Sequence, residues 1–150
     1  MKRQSLTVYL PMILIVVMSF GVAHAQSLNF SLDIPFEFSA GDKEIPVGRY
    51  TIRRSPQGAD VLMIQSKDGR ISQQIRMKIF YSNESATESK KLIFTRYGDK
   101  RFLSQIWAIS PLGKSTRYQI TKGKQELELE RKAKQDQSAQ QPETVNIVIK

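Results

Sequence analysis

Between Leu28 and Phe38 apolar and polar positions alternate: Leu28, Phe30, Leu32, Ile34, Phe36 and Phe38 are separated by Asn29, Ser31, Asp33, Pro35 and Glu37. Successive side chains of an extended chain point to opposite faces, so this period of two predicts a strand with one buried side. Pro35 has no N–H to donate to a ladder, which places the strand at an edge or a bulge. Gly41-Asp42 supplies a turn, and Pro46 and Gly48 punctuate the entry to a short strand over residues 49–54, with Tyr50 and Ile52 on one face and Gln57-Gly58 closing it. Residues 60–80 read as two strands joined at Asp68-Gly69, a dipeptide that tolerates the positive φ of a tight hairpin. The second of these carries Ile71, Ile75, Met77 and Ile79 on one side, and Met63 and Met77 read as core fillers.

After the polar loop "SNESATESK", the segment "FTRYGDKRFLSQIW" (residues 94–107) gathers aromatic, basic and acidic residues around one Gly-Asp pair. A two-residue turn at Gly98-Asp99 would set Arg96 directly opposite Arg101, a like-charge pair that weakens a sheet. The preferred register therefore turns at Asp99-Lys100, or through a loop from Gly98 to Arg101. Tyr97 then faces Phe102, Thr95 faces Ser104 and Ile93 faces Ile106, while Leu92, Phe94 and Arg96 meet Trp107, Gln105 and Leu103. Both faces of that hairpin are substantially apolar, which predicts a central hairpin covered by a layer on each side. Arg96, whose charge falls on an apolar face, is the first binding candidate, followed by Lys100 and Arg101 in the loop beside Asp99, and by Trp107.

Beyond Trp107 a Pro-Leu-Gly break precedes a short strand near Tyr118 to Ile120. The "ELELE" stretch alternates, yet its neighbours are good helix formers and Glu128–Lys132 and Glu130–Lys134 are favourable i,i+4 pairs, so a helix is predicted over residues 122–134 that rests Leu127 on the sheet. Residues 135–144 form a glutamine-rich linker, and "VNIVIK" (145–150) ends the chain on an apolar β segment. This segment is expected to fold back into the same sheet; pairing of Val145 to Ile149 with another chain is the alternative.

The amino terminus changes which chemistry remains. Lys2 and Arg3 precede an apolar run from Leu6 to Val22 that ends in Ala23-His24-Ala25, the order of a secretory signal cleaved after Ala25. The run approaches the roughly 20 residues of a membrane span, but Pro11 and the Ala-x-Ala ending favour cleavage. Residues 1–25 are thus read as a signal peptide and residues 26–134 as one β domain. The protein is expected to be exported, periplasmic or extracellular. His24, the only histidine, leaves with the signal, and the chain has no cysteine. Zinc sites of Cys and His, a Ser-His-Asp triad, a cysteine nucleophile and a disulfide framework are excluded by inventory. Removing Lys2 and Arg3 from the 23 basic residues leaves 21 against 14 acidic ones, a net charge of about +7.

That charge biases the protein toward anionic envelope polymers or lipid, whereas export and the lack of a recognition module count against nucleic acid. Asp33 and Glu37 share a strand face, but their α-carbons lie roughly 13 Å apart at strand rise, against carboxyl separations of about 5–9.5 Å in glycosidases. No glycine-rich phosphate loop or calcium loop is spelled out. No catalytic residue, metal ligand or cofactor is read from the chain.

The segments "IPFEFSAGDKEIPVGRYTI", "KDGR" and "KLIFTRYGDKRFLSQIW", followed by a charged stretch, resemble a family of exported bacterial β-proteins that carries Pro-Phe-x-Phe, Pro-x-Gly-x-Tyr and Arg-Tyr-Gly-Asp in this order. The stretch between Trp107 and the charged segment is longer here. The resemblance implies an exported bacterial β-protein and brings no activity, cofactor or catalytic residue. Separately, "IPVGRYTI" is similar to the turn and strand of transthyretin-like sandwich domains. The chain is accordingly expected to form an all-β sandwich or flattened barrel of about seven antiparallel strands with a C-terminal helix. Its expected role is non-enzymatic binding at the envelope, with a small carrier of an apolar ligand held between the sheets as the alternative.

Overall fold

The computed structural model describes residues 28–85, 90–110, 113–135 and 141–149; residues 1–25, read from the sequence as a signal peptide, and residues 136–140 of the expected linker lie outside them. Among the described residues, ten strands and one helix follow in the order β1 (Asn29–Ile34), β2 (Phe38–Ala40), β3 (Lys43–Ile45), β4 (Gly48–Arg54), β5 (Val61–Ser66), β6 (Ser72–Ser85), β7 (Lys91–Tyr97), β8 (Lys100–Ile109), β9 (Lys114–Ile120), α1 (Lys124–Gln135) and β10 (Glu143–Val148). The fold is all-β and sandwich-like, a mixed sheet that does not close, with more strands than the seven expected.

The alternating segment at the start is two strands rather than one. β1 stops at Ile34, pairs only with β4 and forms one edge, while β2 joins β3 and bridges β8 in parallel at Ser39 and Phe102. Pro35 falls in the gap, where its missing N–H costs no ladder bond. The first layer runs β1-β4-β5-β6 and the second runs β6-β9-β8-β7-β10. β6 belongs to both: its residues 72–76 pair with β5, and from Met77 onward it pairs with β9.

The inner faces meet in one apolar cluster that includes Ile34, Phe38, Tyr50, Ile52, Leu62, Ile64, Leu92, Phe94, Leu103 and Ile106. Phe38 ties the layers together edge-on, with ring centroids 6.1 Å from Tyr50 and 5.4 Å from Phe94. The Tyr50 hydroxyl satisfies itself by donating to the Pro46 carbonyl at 2.7 Å. A fully buried Leu, Ile or Phe contributes about 1.5–3 kcal/mol, so this continuous cluster is the principal source of stability in a chain without disulfides.

The β7–β8 hairpin adopts the register that charge repulsion argued against: Arg96 is opposite Arg101, Tyr97 is opposite Lys100, and Gly98-Asp99 is the two-residue turn. Gly98 takes φ 59°, the conformation that a type II′ turn asks of its first central residue and that glycine adopts without strain. Neither arginine is left facing the other's charge. Arg96 Nε donates to the Gly98 carbonyl at 2.6 Å and its guanidinium lies 3.4 Å from Glu143, while the Arg101 guanidinium sits 4.8 Å from the centre of the Phe36 ring. A bulge at Ser104 then shifts the pairing, so Leu92 faces Ile106 and Lys91 faces Trp107. The Asp68-Gly69 connection is also wider than a two-residue hairpin. Gly69 N–H donates to the Ser66 carbonyl, and the Asp68 carboxylate accepts from Ser66 Oγ and the Arg70 N–H.

The helix starts at Lys124, where the Asp42 carboxylate of the β2–β3 turn accepts the Lys124 N–H at 2.7 Å and acts as a cap from 82 residues away in sequence. Just before it, Gly123 presses on Gly41, and a Cβ at Gly123 would overlap the Gly41 carbonyl and the Asp42 carboxylate. This contact sets the helix rotation. Leu127, expected against the sheet, is 51% exposed, and Glu126 is the residue turned inward. At the carboxyl end, β10 adds antiparallel to β7 of the same chain, with Val145 and Ile147 packed against the core.

Candidate functional site

Trp107 lies on the outer face of the second layer, alternating along β8 with the buried Ile106. The register carries its row across four strands: Phe80 of β6 is opposite Arg117 of β9, Arg117 is opposite Trp107 of β8, and Trp107 is opposite Lys91 of β7. Strand pairing thereby builds a ladder of alternating rings and cations. The Arg117 guanidinium lies 4.8 Å from the Phe80 ring centre and 5.8 Å from that of Trp107, and Lys91 Nζ lies 5.3 Å from Trp107 on its other side. Each such contact is worth about 0.5–1 kcal/mol where exposed to solvent.

The neighbouring row on the same face is Lys78, Gln119, Gln105 and Ile93. Gln105 Oε1 accepts the Trp107 indole N–H at 3.0 Å, and Gln119 Nε2 donates to the Ser104 carbonyl at 3.1 Å. One hydrogen bond on each amide holds it in place and leaves the other end for a ligand: a donor on Gln105 and an acceptor on Gln119. Between Ser72 and Tyr81 of β6, and throughout β7, β8 and β9, there is no acidic residue, whereas each of these strands carries two basic ones. Arg117 makes no ion pair among the described residues, and its buried Nε has no hydrogen-bond partner. The two rings, rather than a carboxylate, hold its charge in place.

The four candidates read from the sequence do not form one site. Arg96 is occupied by Gly98 and Glu143 at one end of the hairpin and serves the fold. Lys100 and Arg101 line a nearby cleft of about 300 Å³ together with Glu37, Ser39, Glu44 and Asp99, and Lys100 lies 3.9 Å from Glu44. Three carboxylates in that cleft offset its two cations. Trp107 stands at the opposite end of β8, six residues from Arg101, roughly 20 Å at strand rise. The hairpin is also not covered on both sides, since the Trp107 end of its outer face is open. Phe80, Arg117 and Lys91 escaped the sequence reading because their proximity depends on three pairings, β6 with β9, β9 with β8 and β8 with β7. The signal available was a longer last strand: β9 starts at Lys114, four residues before Tyr118, and includes Arg117.

The outer face is different beneath α1. Glu126 is 2% exposed, and its Oε1 is buried without a hydrogen-bond partner. Burial pushes its carboxyl up from 4.5 to about 7, with Lys122 working against the shift. Glu130, one turn further on, accepts from Lys122 Nζ at 2.8 Å and from Lys134 Nζ at 2.9 Å, and these bonds hold its carboxyl down at about 2. Tyr97 completes the group, its phenol pushed up by burial and pulled down by Lys122. A buried acid beside a lysine and a phenol has the ingredients of proton transfer, but the helix covers it and leaves a substrate no approach.

No known protein family, curated protein or solved structure matches the chain.

Proposed function

We propose that this is an exported, non-enzymatic binding protein of the bacterial envelope whose exposed sheet face docks on an anionic polymer. The observation that carries the reading is the Phe80–Arg117–Trp107–Lys91 ladder, set in a region, Ser72 to Tyr81 of β6 with β7, β8 and β9, that holds basic residues and no acidic one. Cations held against rings on an exposed sheet face attract polyanions at long range, and the rings add short-range contact that salt does not screen. An apolar cargo between the sheets is less well supported, because Trp107 faces outward and the inner faces meet in a continuous cluster. Export follows from the signal at residues 1–25, and the purified envelope form is expected to begin at Gln26.

Retention on carboxylated, sulfated and phosphorylated resins across a salt series tests the reading. Binding is expected to weaken steadily as salt rises and to fall further in Lys78→Glu. Absent or salt-insensitive retention would sink it.

A further inference from the structure

We infer that β10 pairs through its free edge with β10 of a second copy of this chain, antiparallel about a two-fold axis at Asn146, so that two sandwiches share one continuous sheet. Among the described residues β10 is hydrogen-bonded to β7 alone. Ile149 N–H donates to the Lys90 carbonyl at 2.8 Å, and the direction of these groups alternates along an extended strand. Val145 and Ile147 therefore also turn their N–H and C=O toward β7, while Thr144, Asn146 and Val148 turn theirs to the open side. All three of the latter are exposed, Val148 by 57%. The other sheet edges are guarded in ways that discourage pairing with another chain. β1 carries Asp33, ion-paired to Arg49, and gives way to Pro35. β3 is three residues long and includes Lys43 and Glu44. β10 has neither device: from Thr144 to Ile149 it holds no charge, proline or glycine, and its pairing with β7 has no bulge.

The edge is also its own complement. With Asn146 opposite Asn146, Thr144 falls opposite Val148 and Val148 opposite Thr144, so each outward-pointing backbone group between Thr144 and Val148 finds a partner. The side chains agree on both faces. On the core side Val145 stands opposite Ile147, which extends the partly buried apolar row of each copy across the axis. On the outer side the two Asn146 carboxamides can exchange hydrogen bonds, and the exposed Val148 gains the Thr144 methyl. Glu143, the one charge on the strand, falls opposite Ile149 and meets no like charge. Pairing consumes both free β10 edges, so the assembly closes at two copies. A two-fold axis normal to the sheet keeps both outer faces on one side, which lets a long polyanion engage both Trp107 rows. The pairing itself does not depend on what that face binds.

Sedimentation of the chain without residues 1–25 tests the pairing. Its mass is expected to rise from one copy toward two between about 1 μM and 1 mM, and to go no higher. Asn146→Lys sets like charges opposite each other only in the dimer and is expected to weaken association about tenfold or more. Asn146→Cys gives a positive readout that a folding defect would not imitate. The chain has no cysteine of its own, and a hydrogen-bonded pair puts the two α-carbons roughly 5.5 Å apart, within disulfide reach. Mild oxidation is expected to link this variant into dimers, while Gln74→Cys, exposed on β6, stays single. A parent chain that remains one copy throughout, or that grows past two, overturns the inference. So does a dimer that Asn146→Lys leaves intact, or an Asn146→Cys variant that links no faster than Gln74→Cys.

Discussion

Replacing Glu126 by glutamine keeps the shape of the buried side chain and removes its charge. In the folded protein the carboxyl titrates at about 7, against 4.5 as its ordinary value. Between those values the unfolded chain has released its proton and the folded chain has not, so the native state binds more protons and stability falls as pH rises. The slope is about 1.4 kcal/mol per pH unit over a window of about 2.5 units, roughly 3 kcal/mol in all. This stability is fully present below about pH 4.5 and is gone above about pH 7. Glu126→Gln does not titrate. It should therefore match the parent protein near pH 4.5 and exceed it by about 3 kcal/mol near pH 8, a large share of a domain's usual 5–15 kcal/mol. Glu130 does not confuse the comparison. Its carboxyl is held down, so its contribution is lost only as pH falls from 4.5 toward about 2, and equally in both proteins. Urea unfolding followed by the fluorescence of Trp107, the single tryptophan, gives the difference at each pH. A gap that stays constant, or that closes as pH rises, refutes an unpaired buried carboxyl beneath the helix.

Asp42→Ala removes the remote cap and should cost about 1 kcal/mol, read as faster amide exchange in the first turn of α1 while the sheet stays protected. Leu127→Ala should change stability by less than about 0.5 kcal/mol; a loss several times larger would mean that the helix is turned the other way. Gly98→Ala places a side chain at φ 59° and should cost about 1 kcal/mol in denaturant unfolding, whereas a neutral result would point to the wider loop. Deleting residues 141–150 uncovers the β7 edge and strips Val145 and Ile147 from the core. It should lower the unfolding midpoint and bring concentration-dependent light scattering, and an equally stable, non-aggregating chain would contradict the pairing.

The strands were legible because a period of two is a local property: Tyr50 and Ile52, or Ile75 and Met77, announce a buried face without reference to any partner. Pro35 likewise announces a break, though not that the chain changes layer there. What failed to show were choices made by remote residues. The arginine pair at the hairpin turn is tolerable because Glu143 and Phe36 come in from the two ends of the domain, and nothing within residues 94–107 reports them. Helix formation was readable from composition, but its rotation depends on a contact between Gly41 and Gly123, so Glu126 faces inward where Leu127 was expected. Trp107 stood out as a single residue. Its ladder did not, since three other strands supply the remaining members and each pairing must be in register for the row to exist.

β6 runs through both layers, and the Phe80 end of the ladder sits on the part of it beyond the crossing. The layers are therefore joined by a continuous backbone as well as by packed side chains, and opening them like a clam would require breaking the pairings of that strand with β5 or β9. The spacing from Phe80 to Trp107 is consequently fixed by the strand pairing itself. Under the proposed docking of a polyanion, cations held at a fixed pitch by the sheet would lose little conformational freedom on binding.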